Sequence, residues 1–306
     1  MKRPFLILVF FGLSIDLFAQ LTYEKLFVDY DSAWQYKNLK IIPIRFKGPG
    51  DPGFQIISLS QALQRRLVSI TERGTASTEN VHWLRINNRS KIPLFIGAGE
   101  IIKGGRQDRI VTRDTVMIPN GTDQYFSVMC VEEGRWTEKE KKFIYSNFAN
   151  PRLRRVIDQS KNQVRIWKEI SDQLDTARIH SPTLAYTGLR QDKKHLALLD
   201  EYSRVFLEKF KKSDSTITGI VCMSGDEVIG SDVFAGTNLF YEELGPILVG
   251  YIENAVLFGK PVIITDKKVK LYMDKILTGE TSQEEYLKKN GKIYRYKDKV
   301  IHFTSY

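Results

Sequence analysis

The spacing of apolar residues changes near residue 150, and this change limits the folds open to the chain. Before that point, β-branched and aromatic residues form short runs separated by clusters of Gly, Pro, Asn and Asp, which is the pattern of strands and turns. These runs predict an antiparallel β unit of sandwich or barrel-like form. They occupy residues 41–46, 81–86, 93–96, 108–118 and 124–131.

After residue 150 the apolar residues recur every three to four positions, over 152–174, 195–210 and 239–258. This spacing predicts three amphipathic helices. Alternating runs at 217–234 and 292–304, each interrupted by a short polar turn, predict two β-hairpins. The predicted class is α+β, with a β-rich unit over 20–150 and an α+β unit over 151–306 that packs on it or forms one continuous domain with it.

The first residues have the order of a secretory signal peptide. Lys2 and Arg3 precede an uncharged apolar run over 5–13, and the small residue Ala19 follows. The run has about half the roughly 20 residues of a spanning helix, and no later stretch reaches that length without a charge or a turn residue. We expect a signal peptide over 1–19, a mature chain that starts at Gln20 without a transmembrane segment, and a periplasmic or secreted protein.

Charge and cysteine content restrict the partners of the chain. The formal net charge is +10, but the cations are scattered and no aromatic residues are interleaved with them, so the sequence carries no strong nucleic-acid signal. A basic chain also attracts small anions. Cys130 and Cys222 can form one bridge or be two small buried side chains. The four histidines are too dispersed to predict a metal site.

Two polar segments could carry chemistry. In residues 97–109, four glycines accompany Glu100, Gln107 and Arg109, and such a loop could approach a polar or phosphorylated ligand closely. It has neither a Walker nor a dinucleotide-binding order, and in the absence of other signals a β-turn with a salt-bridged pair is the simpler interpretation. In the second segment, a strand ends at Glu132, Arg135 and Trp136. These side chains suit either stacking on a flat ligand or a plug between the two units.

Four segments together resemble a known family: GAGEIIKGGRQDR, VMIPNGT, VMCVEEGRW and residues 225–240. They are similar to the ADP-ribosylglycohydrolase- and rhodanese-phosphatase-superfamily-associated protein domain, a largely uncharacterised bacterial family. The resemblance covers most of the mature chain and implies an α+β fold, but it names no substrate and no cofactor. It places polar motif residues at Glu100, Glu132 and Asp232, which would be the catalytic carboxylates, and at Gln107, Arg109, Arg135 and Trp136, which would bind the ligand.

Two functions follow as hypotheses. The first is a periplasmic enzyme or ligand-binding protein for a polar anionic molecule, phosphorylated or nucleotide-like, held in one cleft by Arg109, Glu132 and Arg135 with Glu100 or Asp232. The second is a non-catalytic cell-envelope interaction protein in which the motif locks the two units together. An open pocket around these side chains favours the first hypothesis, and burial in mutually satisfied pairs favours the second.

Overall fold

The computed structural model describes residues 20–49, 54–74, 80–137, 139, 141–210 and 214–306. The predicted signal peptide over 1–19 lies outside these residues. Strands and helices are arranged as antiparallel sheets with helices packed on them, so the predicted α+β class is confirmed. The helices are α1 Leu59–Gln64, α2 Pro151–Ser160, α3 Gln163–Ala177, α4 Lys193–Leu207, α5 Thr237–Phe258, α6 Asp266–Leu277 and α7 Glu280–Asn290.

The strands of the described part fall into three sheets. They are β1 Leu26–Val28, β2 Trp34–Tyr36, β3 Leu39–Phe46, β4 Ile57–Ser58, β5 Val68–Glu72, β6 Trp83–Asn88, β7 Leu94–Ile96, β8 Glu100–Gly105, β9 Arg109–Val111, β10 Thr115–Met117, β11 Gln124–Cys130, β12 Lys141–Phe148, β13 Ile217–Ser224, β14 Glu227–Phe234, β15 Gly291–Tyr296 and β16 Lys299–Ser305.

Six strands form a nearly closed antiparallel barrel in the order β12-β8-β9-β11-β6-β5. Leu84, Ile86, Ile102, Phe126 and Val128 fill its interior, because side chains of alternate residues in a strand point to the same face. A small sheet, β10-β7-β4, adds one parallel pair, β4 with β7. The barrel-like form expected from the first half of the sequence is therefore present.

The largest sheet has the order β1-β3-β13-β14-β16-β15, with β2 paired to β3. It joins strands from both sides of residue 150, since β3 pairs with β13. Every residue of β13 is buried, as expected for a central strand covered on both faces. Helices α4 and α5 contribute to the core on one face, and α6 and α7 contribute to the core on the other.

The helix predicted over 152–174 is two helices, α2 and α3. Lys161 ends α2 in the left-handed region with φ 47°, and the side chain of Asn162 accepts a hydrogen bond from the backbone N–H of Arg165 to cap α3. The predicted helices over 195–210 and 239–258 are α4 and α5. No helix in the described part of the chain is long and apolar enough to cross a membrane.

The polar segment 97–109 is mostly strand. Residues Glu100–Gly105 form β8, which pairs with both β9 and β12 in the barrel. The loop expected from its glycines is wrong for this part of the segment. Gly104 and Gly105 have φ +126° and +52°, conformations that L side chains rarely adopt. They end the strand and turn their carbonyl groups toward the polar cluster described next.

Candidate functional site

Arg135 is the centre of a partly buried charge cluster at one end of the barrel. Its Nε donates to Glu132 Oε2 at 2.7 Å, and its Nη2 donates to Asp108 Oδ1 at 2.9 Å. The same guanidinium also donates to the backbone oxygens of Gly104 and Gly105, both at 3.1 Å. These contacts use most of the donors that an arginine offers. Little of this guanidinium is left for a ligand.

Arg109 lies deeper in the same cluster and has no exposed surface. Its Nη2 lies 3.3 Å from Glu72 Oε2, and its Nη1 donates to Gln107 Oε1 at 3.2 Å and to Cys130 Sγ at 3.0 Å. Gln107 Nε2 in turn donates to the backbone oxygen of Glu132 at 2.9 Å. Arg109 and Gln107 therefore belong to the interior of the barrel.

The carboxylate of Glu132 is held in its charged form. Burial would raise the pKa of Glu132, but hydrogen bonds from Arg135 and Thr183 outweigh it and hold the pKa below its usual value. Asp108 Oδ2 accepts from Thr187 Oγ1 at 2.7 Å. These bonds join the barrel to the segment that follows α3. A carboxylate with this many donors is a weak base and serves structure better than proton transfer.

The motif residues do not surround the single cleft that was expected from the sequence. Glu132, Arg135, Arg109 and Gln107 come together, but they are buried or partly buried and paired with each other and with Glu72 and Asp108. Trp136 is 43% exposed. Of the remaining two motif residues, Asp232 belongs to a second network, and Glu100 lies near that network without a bond to it among the described residues.

This second network is a buried chain of charges from β9–β10 to α2. Asp114 Oδ2 lies 2.7 Å from His302 Nδ1, and His302 Nε2 lies 3.1 Å from Asp232 Oδ1. The Arg154 guanidinium donates to both carboxylate oxygens of Asp232, at 3.0 and 2.7 Å, and the Tyr251 hydroxyl donates to Asp232 Oδ2 at 2.6 Å. His302 stacks on Phe234 with 4.3 Å between the ring centroids.

The two aspartates set the protonation state of His302. Burial lowers the pKa of this imidazole, but Asp114 and Asp232 outweigh burial and raise it to about 9, so His302 carries a charge at neutral pH. Arg154 and His302 keep the pKa of Asp232 well below its usual range, although burial opposes them. Two anions and two cations thus balance in the interior.

Glu100 and Glu243 lie close enough to this network for its charges to affect their pKa values. Their pKa values are raised, whereas those of the two aspartates are lowered. Complete burial raises the pKa of Glu100 to about 8, against the hydrogen bond that it accepts from the Gly97 N–H at 2.8 Å. Burial, followed by the charge of Glu100, raises the pKa of Glu243 well above its usual value. Burial thus favours the uncharged carboxylic acid form of both side chains.

Open space occurs beside these networks. A cavity of about 520 Å³, here called the barrel cleft, lies between β6, β11, α2 and β15 and is lined by Trp83, Arg113, Asp158, Lys161 and Lys292 among others. Lys292 Nζ donates to the Thr112 oxygen at 2.6 Å and lies 3.1 Å from Asp158. Within the described ranges, neither Arg113 nor Lys161 has a carboxylate partner. The guanidinium of Arg113 lies 5.9 Å from the centre of the Trp83 ring.

A second cavity of about 450 Å³ adjoins the barrel cleft and shares Arg113 and Lys292 with it. Asp114 and Lys288 also line this second cavity. The buried charge chain therefore begins at its wall. A ligand in these two cavities would meet more cations than anions, together with one half-buried indole.

One comparison with known protein families matches most of the chain. The family model of the ARG and Rhodanese-Phosphatase-superfamily-associated Protein domain, ARPP-1, matches residues 27–305. The chain belongs to the ARPP-1 family. The match begins in β1 and ends in β16, so both the barrel and the large sheet are parts of the ARPP-1 domain. No curated protein and no solved structure matches the chain.

The barrel cleft of this ARPP-1 domain was not predicted from the sequence. An arginine beside an aromatic ring occurs at Arg113 and Trp83, whereas Arg135 is paired with Glu132 and Asp108 and Trp136 is 43% exposed. One signal was available, since Arg113 interrupts the strand-like run 108–118 beside Asp114. A charged pair inside such a run often marks a break between strands, and here β9 and β10 are separate.

The described part of this ARPP-1 domain has no group of three or more His, Cys, Asp or Glu side chains placed to hold a metal ion. Cys130 on β11 and Cys222 on β13 are buried thiols that form no disulfide bond with each other. The second of the two interpretations of the cysteines, small buried side chains, agrees with this arrangement.

Proposed function

We propose that the protein binds a polar, anionic small molecule of the phosphate-ester type in the barrel cleft. The observation that carries this proposal is the pair of cations, Arg113 and Lys161, that line the cleft without a carboxylate partner in the described part of the chain. Guanidinium and ammonium groups suit phosphate oxygens. The half-buried Trp83 beside them suits a ring or the carbon skeleton of the ligand.

The size of the cleft supports a small organic anion. Its volume of about 520 Å³ lies inside the usual range of about 300 to 1,000 Å³ for ligand sites. Nucleotide-like molecules are therefore included in the proposal. The motif cluster is a poorer place for the same ligand, because an anion at Arg135 would have to displace Glu132 and Asp108 from it.

A non-catalytic cell-envelope interaction protein is the second candidate. It is supported by the burial of Arg109 and Glu132 in mutually satisfied pairs, the arrangement expected when these residues lock parts of the fold together. In that case the cations of the barrel cleft would bind an acidic surface and not a small molecule.

Export is part of the proposal and rests on the order of Lys2, Arg3, the apolar run 5–13 and Ala19. We expect protein recovered from the periplasm or the medium to have, by intact-mass measurement, a chain that begins near Gln20. A full-length chain confined to the cytoplasm would contradict export without affecting the proposed ligand.

Calorimetric titration tests the proposed ligand. The probes are inorganic phosphate, ribose 5-phosphate and ADP, with uncharged ribose and adenosine for comparison. We expect at least one phosphate ester to bind, and Arg113→Gln and Lys161→Gln each to weaken it about tenfold, since a charge-assisted hydrogen bond contributes about 1.5 to 3 kcal/mol.

Two exposed cations outside the cleft, Arg204 and Lys267, provide matched controls. Arg204→Gln and Lys267→Gln should leave the affinity unchanged. Equal weakening by all four substitutions would mean attraction to net charge alone, and no binding of any phosphate would refute the small-molecule proposal in favour of the interaction protein.

A further inference from the structure

Another cavity among the described residues is separate from the barrel cleft. It has a volume of about 720 Å³ and lies between α2, the turn from β13 to β14, and the end of α5. None of its lining residues lines the barrel cleft. We call it the hairpin cavity and define it by Arg155, Glu227, Asn254, Phe258 and Lys260.

Charges of both signs face the hairpin cavity without touching each other. Arg155 on α2 and Lys260 after α5 are cations, and Glu227 at the start of β14 is an anion. In the part of the chain that the structure describes, none of the three has an ion-pair partner within 4 Å. Opposite charges that border one space but remain unpaired suit a ligand that carries both signs.

Local backbone geometry positions one of these cations. Gly225 in the turn has φ +62°, and a Cβ built on it would lie 3.3 Å from Lys260 Cβ. The stem of Lys260 therefore lies against the turn. Its backbone oxygen also accepts from the Gly225 N–H at 3.0 Å. Lys260 lies against the turn from β13 to β14, and Glu227 follows this turn. The turn therefore fixes the position of Lys260 relative to Glu227.

Asn254 provides a polar side chain at the wall of the hairpin cavity. The residue is only 8% exposed, but its amide atoms are not among the buried side-chain atoms that lack a partner in the described part of the chain. The amide is therefore open to the cavity. A side-chain amide offers one carbonyl acceptor and two N–H donors, which complement the N–H and C=O groups of a peptide unit.

An apolar wall completes the hairpin cavity. Phe258 lies one helical turn after Asn254 on α5, so both side chains are on the same face of the helix. The guanidinium of Arg152, itself bonded to Glu169 at 2.7 Å, covers the Phe258 ring at 4.5 Å. Ile263 at the rim is 72% exposed. A small apolar side chain of a ligand could be buried here.

We propose that the hairpin cavity binds a zwitterion, namely a short peptide with free ends. Its carboxylate would pair with Arg155 and Lys260, its ammonium group with Glu227, and one peptide unit with the amide of Asn254. This site is independent of the phosphate-ester site proposed above, because the two cavities share no lining residue.

Isothermal titration with trialanine, N-acetyl-trialanine and trialanine amide tests the proposal. We expect trialanine to bind and each blocked peptide to bind at least about tenfold more weakly, since each has lost one charge-assisted contact. Asn254→Leu should weaken trialanine binding, and Asn254→Asp provides a second variant of nearly the same shape if the leucine variant folds poorly. Arg113→Gln in the barrel cleft should have no effect.

Glu227→Gln identifies the partner of the ammonium group. In this variant trialanine and N-acetyl-trialanine should bind equally, while the exposed control Glu285→Gln should retain the wild-type preference for the free amine. The proposal is overturned if trialanine does not bind, if the three peptides bind alike to the wild type, or if neither Asn254→Leu nor Asn254→Asp weakens binding. Failure of the phosphate-ester titration would leave this result unaffected.

Discussion

Arg135 illustrates how the conspicuous polar residues of this chain are used. Its guanidinium has two carboxylates and two backbone carbonyl groups as partners. Burial alone would lower the pKa of this guanidinium, but Glu132 and Asp108 raise it. A cation so completely paired contributes to stability by preventing two carboxylates from being buried together without compensation.

We predict that Arg135→Ala lowers the free energy of unfolding by about 2 kcal/mol or more, since it leaves the buried carboxylates of Glu132 and Asp108 without their cation. The melting temperature should fall by several degrees. The matched control is Arg85→Ala, whose pair with Asp123 spans 3.5 Å between exposed side chains and should cost less than about 1 kcal/mol. Equal melting of the Arg135 variant and the wild type would contradict the structural role.

At the scale of elements, helix spacing was a reliable guide to the presence of helices but not to their ends. Leu153 on α2 and Ile166 and Ile170 on α3 pack in the same core. The helical spacing of apolar residues therefore continues across the break at Lys161, so the break cannot be recognised from this spacing. Asn162 was the available signal, because asparagine is a preferred residue at helix starts.

The strand β8 was missed because its glycines resemble a loop. In the barrel, a Cβ on Gly104 would collide with the backbone oxygen of Lys142, and one on Gly105 would collide with the Phe143 ring. Glycine here permits β12 to approach closely, with register shifts in the pairing of the two strands. A single sequence cannot distinguish this use of glycine from a turn.

The types of residue in the candidate site could be predicted from the sequence, but most of the pairs that their side chains form could not. Glu132 and Arg135 are three residues apart, and their pairing could be expected. Glu72, the partner of Arg109, is 37 positions away, and Asp114 and His302 are 188 positions apart. Such pairs depend on how the sheets are arranged in space, which local spacing does not determine.

At the scale of the whole molecule, the Asp114–His302–Asp232–Arg154 chain joins separate parts of the fold. Asp232 and His302 lie on β14 and β16 of the large sheet, Arg154 lies on α2, and Asp114 lies between β9 and β10 beside the barrel. Asp114 Oδ1 also accepts from the Ala98 N–H at 2.6 Å. The imidazole of His302 thus lies where its charge can stabilise contacts between the large sheet, α2 and the barrel.

The signs of the pKa shifts determine how stability depends on pH. The pKa of His302 is raised from 6.5 to about 9. The contribution of His302 to the free energy of unfolding is therefore complete below about pH 6.5 and is lost as the pH rises toward 9. The pKa of Glu100 is raised from 4.5 to about 8, so its contribution also falls as the pH rises, over that range. The pKa values of Asp114 and Asp232 are lowered from 3.8, so their contribution is lost in acid.

We therefore predict that the free energy of unfolding is greatest on the acid side of neutrality, near about pH 5, and decreases steadily toward about pH 9. Urea denaturation at a series of pH values measures this profile. Glu100→Gln, which keeps the shape of the side chain but cannot ionise, should make the decrease between about pH 5 and pH 8 smaller and leave the part between about pH 6.5 and pH 9 that belongs to His302. The control Glu285→Gln changes an exposed carboxylate on α7 and should reproduce the wild-type profile. A wild-type profile that is level or rises from neutral to alkaline pH would show that His302 is not held as a charged group between the two aspartates.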